Sequence, residues 1–233
     1  MGCGKRTACN FIRKKEKMNA QFLTSSFVPN ARPVIRPLTA DDSVAYRDLR
    51  TKILAIGDGK YFSDSYEREK QFTTEHQWRD WCTETREHCI IGIFDELNLI
   101  GVMMITMQGL PGSVVAEWEA TWLDPRYRGC GIAKPAYEKV QQWSRDNGYE
   151  YAVVYIRDDN QRSREIREKQ GFTYVRTKHE ETWADGSKGD AHFFVLDLLA
   201  KDLAHSPYRR ATETLEETLT ALMSEGTPVR KAV

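Results

Sequence analysis

The sequence predicts an α+β fold, a mixed and mostly antiparallel sheet of about six or seven strands flanked by about four helices. Strand-like and helix-like segments follow one another in the order β-α-α-β-β-β-α-β-α-β-β. A glycine-bearing turn over 124–132 joins an apolar strand-like segment to a helix-like one. A closing hairpin reads around Asp185-Gly186-Ser187-Lys188-Gly189.

Val34-Ile35-Arg36-Pro37-Leu38 forms the first short strand. Thr39-Ala40-Asp41-Asp42 is a capping-box-like start, with Thr39 accepting from a backbone N–H, for a helix reaching about Ile56. Gly57-Asp58-Gly59 stops that helix. Residues 60–66 read as an aromatic loop (Tyr61, Phe62, Tyr66). Residues 67–87 are charged, with Phe72, Trp78, Trp81 and Cys82 interspersed, and read as a second helix. Two strands, 89–94 and 99–107, flank the turn Glu96-Leu97-Asn98. Gln108-Gly109-Leu110-Pro111-Gly112 breaks the chain before a fourth strand over 114–123. A third helix over 133–146 follows, then a fifth strand over 151–156, rich in β-branched and aromatic residues. A polar helix ends at Lys169, and 172–183 and 191–199 form the hairpin.

Bulk composition excludes several classes. The 233 residues carry 34 basic and 34 acidic side chains, so no global basic field argues for nucleic acid or an acidic membrane. Apolar content of 40% fits a folded core, and no apolar run is long enough to span a bilayer. Cysteines at 3, 9, 82, 89 and 130 are odd in number and include no C-x-x-C, which speaks against a disulfide framework or zinc site and for a reduced, cytoplasmic setting. Histidines 76, 88, 192 and 205 have no metal-like spacing, so no metal is expected.

Three segments divide the chain. Residues 1–32 read as a basic, disordered extension, with Lys5, Arg6, Arg13, Lys14, Lys15 and Lys17; Gly2 and Cys3 suggest acylation, but Arg6 stands where the myristoylation pattern wants Ser or Thr. Residues 33–199 form the domain. Residues 200–233 are a C-terminal extension in which Leu215, Leu219 and Leu222 mark a short amphipathic helix, packed on its own domain or forming a homodimer contact.

The chemistry is concentrated in Leu123-Asp124-Pro125-Arg126-Tyr127-Arg128-Gly129-Cys130-Gly131-Ile132-Ala133. At a strand-to-helix turn the first helical N–H groups lack internal partners, and the helix dipole adds partial positive charge. Gly129 and Gly131 let a bulky anion approach the backbone, and Arg128 adds a cation. The run is neither a dinucleotide fingerprint, since Lys134 stands where a third glycine is needed, nor a P-loop.

With Arg128, Gly131 and Ala133 as Arg-x-x-Gly-x-Ala, the run resembles the pyrophosphate loop of the GNAT N-acetyltransferase superfamily. A second segment, strand 151–156 followed by Asn160-Gln161-Arg162-Ser163, a helix and Gly171-Phe172, resembles the other half of that family's cofactor site. The resemblance covers roughly residues 33–199 and implies a sheet splayed between strands four and five, with acetyl-CoA as cosubstrate. It implies that Trp122 and Leu123 bond the pantetheine arm through their backbone, that Arg128, Gly129, Cys130, Gly131, Ile132 and Ala133 cradle the pyrophosphate, and that Asn160 bonds the pantetheine. Where many members carry a proton-donating tyrosine, seven residues past the asparagine, this chain has Arg167. Arg167 is left to stabilise a thiolate or bind a cofactor phosphate, with Ser163 or Tyr174 as substitute donors.

Glu117 and Glu119 lie two apart on the fourth strand and so share a face. The resemblance picks Glu117 as the general base, counted back from Leu123, with Glu119 in reserve; the alternative is cross-strand charge pairing on a solvated face. The acceptor side is expected from the segment between the first two helices and from the closing hairpin, with Tyr61, Phe62, Tyr66 and His179 as contacts. The resulting expectation is transfer of an acetyl group from acetyl-CoA to a primary amine of a small molecule or protein. The alternatives are a catalytically silent acyl-CoA-binding module and, further behind, a tRNA-directed enzyme.

Overall fold

The structure, a computed structural model, describes residues 33–62, 74–109, 111–183 and 185–199. The expectations for 1–32, for 200–233 and for Tyr66 and Phe72 lie outside the described residues.

The elements are β1 (Val34–Pro37), α1 (Ser43–Ala55), α2 (Glu75–Cys82), β2 (His88–Asp95), β3 (Asn98–Met107), β4 (Val115–Leu123), α3 (Ala133–Asp146), β5 (Tyr151–Arg157), α4 (Gln161–Lys169), β6 (Thr173–Thr182) and β7 (Lys188–Asp197). They build one seven-stranded sheet in the order β1-β2-β3-β4-β5-β7-β6. All pairs are antiparallel except β4 with β5. That one parallel pair is what a helical crossover produces, and α3 is the crossover.

Each face of the sheet has its own core. On one face Ile91, Ile93, Ile105, Ala116, Trp118, Val154, Ile156 and Phe194 pack under α3 and Phe172. Helix α3 buries Ala136, Tyr137, Val140, Trp143 and Ser144, a stripe at helical spacing. Ser144 satisfies the Trp118 indole N–H at 3.1 Å and donates to the Val140 carbonyl at 2.9 Å, so the buried Trp118 leaves no polar debt. On the other face Ile90, Phe94, Val102 and Trp122 pack under Tyr46, Leu49 and Ile53 of α1 and Trp78 and Cys82 of α2. A smaller cluster, Val115, Val153, Phe193 and Val195, continues that face across β5 and β7.

Three elements depart from the expected boundaries by more than one residue. Thr39 opens a 3-10 turn over Ala40–Asp42, where the Asp42 carboxylate accepts the Thr39 N–H at 2.8 Å and its hydroxyl at 3.0 Å, and α1 starts only at Ser43. Helix α2 is eight residues long rather than extending to 87. A capping box starts it, with Thr74 accepting from Gln77 N–H at 3.3 Å. Beyond Cys82 the Thr85 hydroxyl takes the His88 N–H at 3.0 Å, a local alternative to helix that turns the chain into β2. Strand β7 begins at Lys188, earlier than 191, because the register Thr182–Lys188 extends the hairpin.

Candidate active site

The site begins where two strands part. Strand β4 pairs with β5 only at Val115–Tyr151, Ala116–Ala152 and Glu117–Val153, although β4 runs on to Leu123. The parting coincides with a bulge: Ala120 has φ 47°, and the β3–β4 register slips between Val102 and Met104. One inserted residue flips the side-chain alternation. Trp118 therefore lies in the core under α3, while Trp122, four residues on, lies in the core under α1.

The bulge also decides which backbone groups face the cleft. Asp124 N–H donates to the Ile100 carbonyl at 2.8 Å. Alternation along an antiparallel ladder then turns the Trp122 backbone toward its partner Val102 and the Leu123 backbone toward the β5 side. Of the two residues expected to bond a pantetheine arm, Leu123 is the one so placed. Trp122 instead donates its indole N–H to Asp58 at 2.9 Å.

The turn after β4 is pinned at its base. Asp124 accepts from Arg126 N–H at 3.0 Å, from the Arg126 guanidinium at 3.1 and 3.0 Å, and from Lys52 at 3.2 Å. The Arg126 bonds are the main reason its carboxyl sits low, at about 2, against the opposing effect of burial. A depressed carboxyl stabilises the fold above its unfolded pKa and loses that contribution as pH falls through its folded value. Asp124 is 6% exposed, so the contribution is about 1–2 kcal/mol. Asp124→Asn should lower stability at neutral pH by about that amount, with the gap to wild type closing between about pH 4 and about pH 2 in urea melts. Tyr127 completes the anchor, donating to Asp95 at 2.6 Å from a buried position. Burial and the Asp95 carboxylate push its hydroxyl up to about 12.

Past this anchor the chain opens outward. Gly129 and Gly131 both have positive φ, 81° and 80°, and a Cβ on either would meet open space. Helix α3 follows with no side-chain cap at Ile132 and no acidic residue in its first turn. An uncapped N-terminus beside two exposed glycines can take a diphosphate. Cys130 and Ala133 are exposed there, whereas the Ile132 side chain is core, leaving its backbone for the cradle.

Arg128 is placed differently from its expected direct contact with the anion. Its Nε donates to the Leu123 carbonyl at 2.8 Å and its Nη2 to Asp58 at 2.7 Å. Burial pushes the Asp58 carboxyl up, but bonds from Arg128 and Trp122 outweigh it and hold the group below its usual value. Asp58 thus ties the 3-10 turn Gly57–Tyr61 to the loop. In the sequence, Gly57-Asp58-Gly59 reads only as a helix stop. An acid between two glycines was the available signal, but its partners lie 64 and 70 residues away.

Glu117 and Glu119 do share a face, the one under α1 and α2. Glu117 stands opposite Thr106 of β3 and Val153 of β5, at the last paired position before the strands part. Glu119 accepts from the Thr106 hydroxyl at 2.9 Å. Tyr155, two residues past Val153, belongs to the same neighbourhood. Burial pushes its hydroxyl up to about 12, the Glu117 carboxylate adds to the rise, and a bond with Gln108 works against it. Tyr155 was not foreseen, although strand parity with Val153 could have found it.

Helix α4 supplies the far wall. The Asn160 side-chain oxygen caps it by accepting Ser163 N–H at 3.2 Å. Arg167 is buried, and its Nη2 donates across to Thr121 of β4 at 3.1 Å. Of the acceptor candidates, Phe62 is core and carries Arg50 over its ring, Tyr61 is half-buried beside Lys60, and His179 on β6 bonds Asp190 at 2.8 Å. Tyr174, the substitute donor, is exposed on the edge strand β6 with its hydroxyl 2.8 Å from Thr177. Among the described residues no cluster of His, Cys, Asp and Glu could hold a metal, and no helix is long and apolar enough to cross a membrane.

The profile of the acetyltransferase (GNAT) family matches residues 59–172. No curated protein sequence matches the chain. Among solved structures, the acetyltransferase of the GNAT family from Streptococcus pneumoniae is similar with a TM-score of 0.62 at 13% identity, over 71% of this chain and 99% of that one. A protein from Salmonella typhimurium solved with its cofactor acetyl-CoA is similar with a TM-score of 0.56 at 14% identity, over 73% and 96%. The ribosomal-protein-S18-alanine N-acetyltransferase from Escherichia coli is similar with a TM-score of 0.54 at 13% identity, over 73% and 97%. At such identities the likeness is one of fold.

Proposed function

We propose that this chain, which belongs to the acetyltransferase (GNAT) family through residues 59–172, moves an acetyl group from acetyl-CoA to a primary amine with Glu117 as general base. The observation that carries this reading is the position of Glu117. It is the last residue of β4 paired to β5, at the mouth of the splay, with the exposed glycine loop at the other end of the same strand.

The diphosphate would dock on the backbone N–H groups from Gly129 to Ala133 at the start of α3. The pantetheine arm would add to β4 where β5 has left it, bonding Leu123, with Asn160 and Ser163 at the start of α4 beside it. The thioester would then lie between the faces of the sheet, and the amine would approach from the α1–α2 face, where Glu117 and Glu119 lie. A lysine-like ammonium is neutral in only about four molecules per ten thousand at pH 7, a cost of about 4–5 kcal/mol. Glu117 offsets this by taking the proton, directly or through a water, and the paired carboxylates attract the cation beforehand. Backbone N–H groups at the splay would stabilise the oxyanion. A protein acceptor fits the same chemistry as a small amine, and the similar protein from Escherichia coli is named for a ribosomal-protein alanine.

Calorimetry tests the first half: acetyl-CoA should bind with a micromolar Kd, of order −8 kcal/mol. A panel of amines, including peptides with free N-termini, then tests turnover. Binding without transfer to any amine would favour a silent acyl-CoA module instead. No binding would end both readings.

A further inference from the structure

Arg167 is 4% exposed, and among the described residues no carboxylate pairs with it. Its hydrogen bonds go to neutral groups, Nη2 to the Thr121 hydroxyl and Nη1 to the Gln170 amide oxygen, both at 3.1 Å. Aromatic faces take the rest of its surroundings. Its guanidinium carbon lies 4.8 Å from the Tyr137 ring centroid, 5.5 Å from Phe172 and 6.0 Å from Trp118. Of these three rings, that of Tyr137 on α3 is the one that carries a titratable group. A cation removed from water is costly, and neutral donors and ring faces return only part of that cost. A buried guanidinium without a counter-ion leaves a positive potential in the space it borders.

That space is the splay. Thr121 belongs to the stretch of β4 beyond its pairing with β5, and Arg167 reaches it from α4 on the opposite side. Thr121 and Trp118 point to the α3 face, whereas Glu117 and Glu119 point to the α1–α2 face. Glu117 and Arg167 therefore flank the parting strands from opposite faces, an acceptor for a proton on one side and a fixed cation on the other. Burial also separates Arg167 from the outer anion cradle, where Gly129 and Gly131 face solvent.

We propose that the Arg167 guanidinium stabilises the thiolate of coenzyme A as it leaves, so that this chain completes acetyl transfer without protonating sulphur by a side chain. The inference rests on the function proposed above. The amine nitrogen attacks the thioester carbonyl carbon and forms the C–N bond while the carbonyl electron pair moves to oxygen. Collapse of that oxyanion breaks the C–S bond and leaves the electron pair on sulphur. The ammonium gives one proton to Glu117 before attack and Glu117 passes it to solvent. The second proton, shed by the nitrogen after the C–N bond forms, leaves by the same carboxylate, and the thiolate takes one proton back from water after it has left the site. Arginine cannot supply that proton, since the group stays charged across the accessible pH range. It needs only to lower the energy of the anion, which a desolvated charge does far better than an exposed one.

The experiment follows the ultraviolet thiolate absorbance of coenzyme A bound to the full chain through a pH titration, with the complex of desulfo-coenzyme A as the blank. A free thiol ionises near about 8.5. The bound thiol in wild type should ionise about one unit or more lower, a tenfold or greater preference for the thiolate. Arg167→Gln and Arg167→Met should return it to the free value or above while still binding desulfo-coenzyme A, and Arg167→Lys should retain part of the shift. An unshifted thiol in wild type overturns the proposal, whether or not the variants fold. So does an equal shift in Arg167→Gln. Loss of all coenzyme A binding in wild type would overturn the acetyltransferase reading itself.

Discussion

Glu117→Gln should lower kcat by about 10²–10⁴-fold at pH 7 while leaving acetyl-CoA affinity within about twofold. The amide keeps the size of the carboxylate but cannot accept the amine proton. The deficit should shrink as pH approaches the amine's own pKa near about 10.4, because the substrate then arrives neutral without help. Glu119→Gln should cost less than about tenfold, since that carboxylate is held by Thr106 at 2.9 Å and lies farther along the strand from β5. Steady-state rates across pH for both variants separate the roles. A larger loss from Glu119 would transfer the base to that residue. A pH-independent loss of equal size in both would leave the pair as electrostatic attractors of a cationic acceptor.

Gly131→Asp should weaken acetyl-CoA binding by about a hundredfold or more, about 3 kcal/mol. The proper control is Gly131→Asn. Both side chains would project into open space, and both tolerate the left-handed backbone at φ 80° better than other residues do. They differ in charge. Asn should therefore cost less than about tenfold, and the difference between the two variants should narrow as salt is raised. Equal affinities for Asp and Asn would mean that no anion docks at the start of α3. Arg128→Glu is the weaker test, because the structure ties that guanidinium to Asp58 and the Leu123 carbonyl. Its loss would combine a lost cation with a released turn.

How far the sequence could be read varies with the range of the interactions. The third helix is found over the residues expected, because Ala136, Tyr137, Val140 and Trp143 repeat at its own period. The second helix, Glu75–Cys82, is shorter than 67–87 because charged residues with scattered aromatics do not show where a threonine hydroxyl will take a backbone N–H and turn the chain, as Thr85 does. Glu117 and Glu119 were placed on one face by parity alone, and parity held as far as Ala120. Beyond it the alternation shifts by one, so the Trp122 backbone faces β3 and its ring faces α1. An alanine at positive φ carries no mark in the sequence, since glycine or asparagine is the usual sign of such a turn.

The chain by itself determined the order of elements, the glycine turn at the start of α3 and the shared face of the two carboxylates on β4, because periodicity, glycine placement and strand alternation act within a few residues. Tertiary structure decided the rest: the parting of β4 from β5, the capture of Arg128 by Asp58, and the burial of Arg167 against Thr121, Tyr137 and Phe172. Those depend on groups brought together from positions 46 to 70 residues apart in the first two pairings named, where only packing and the pairing of charges out of water select the partner.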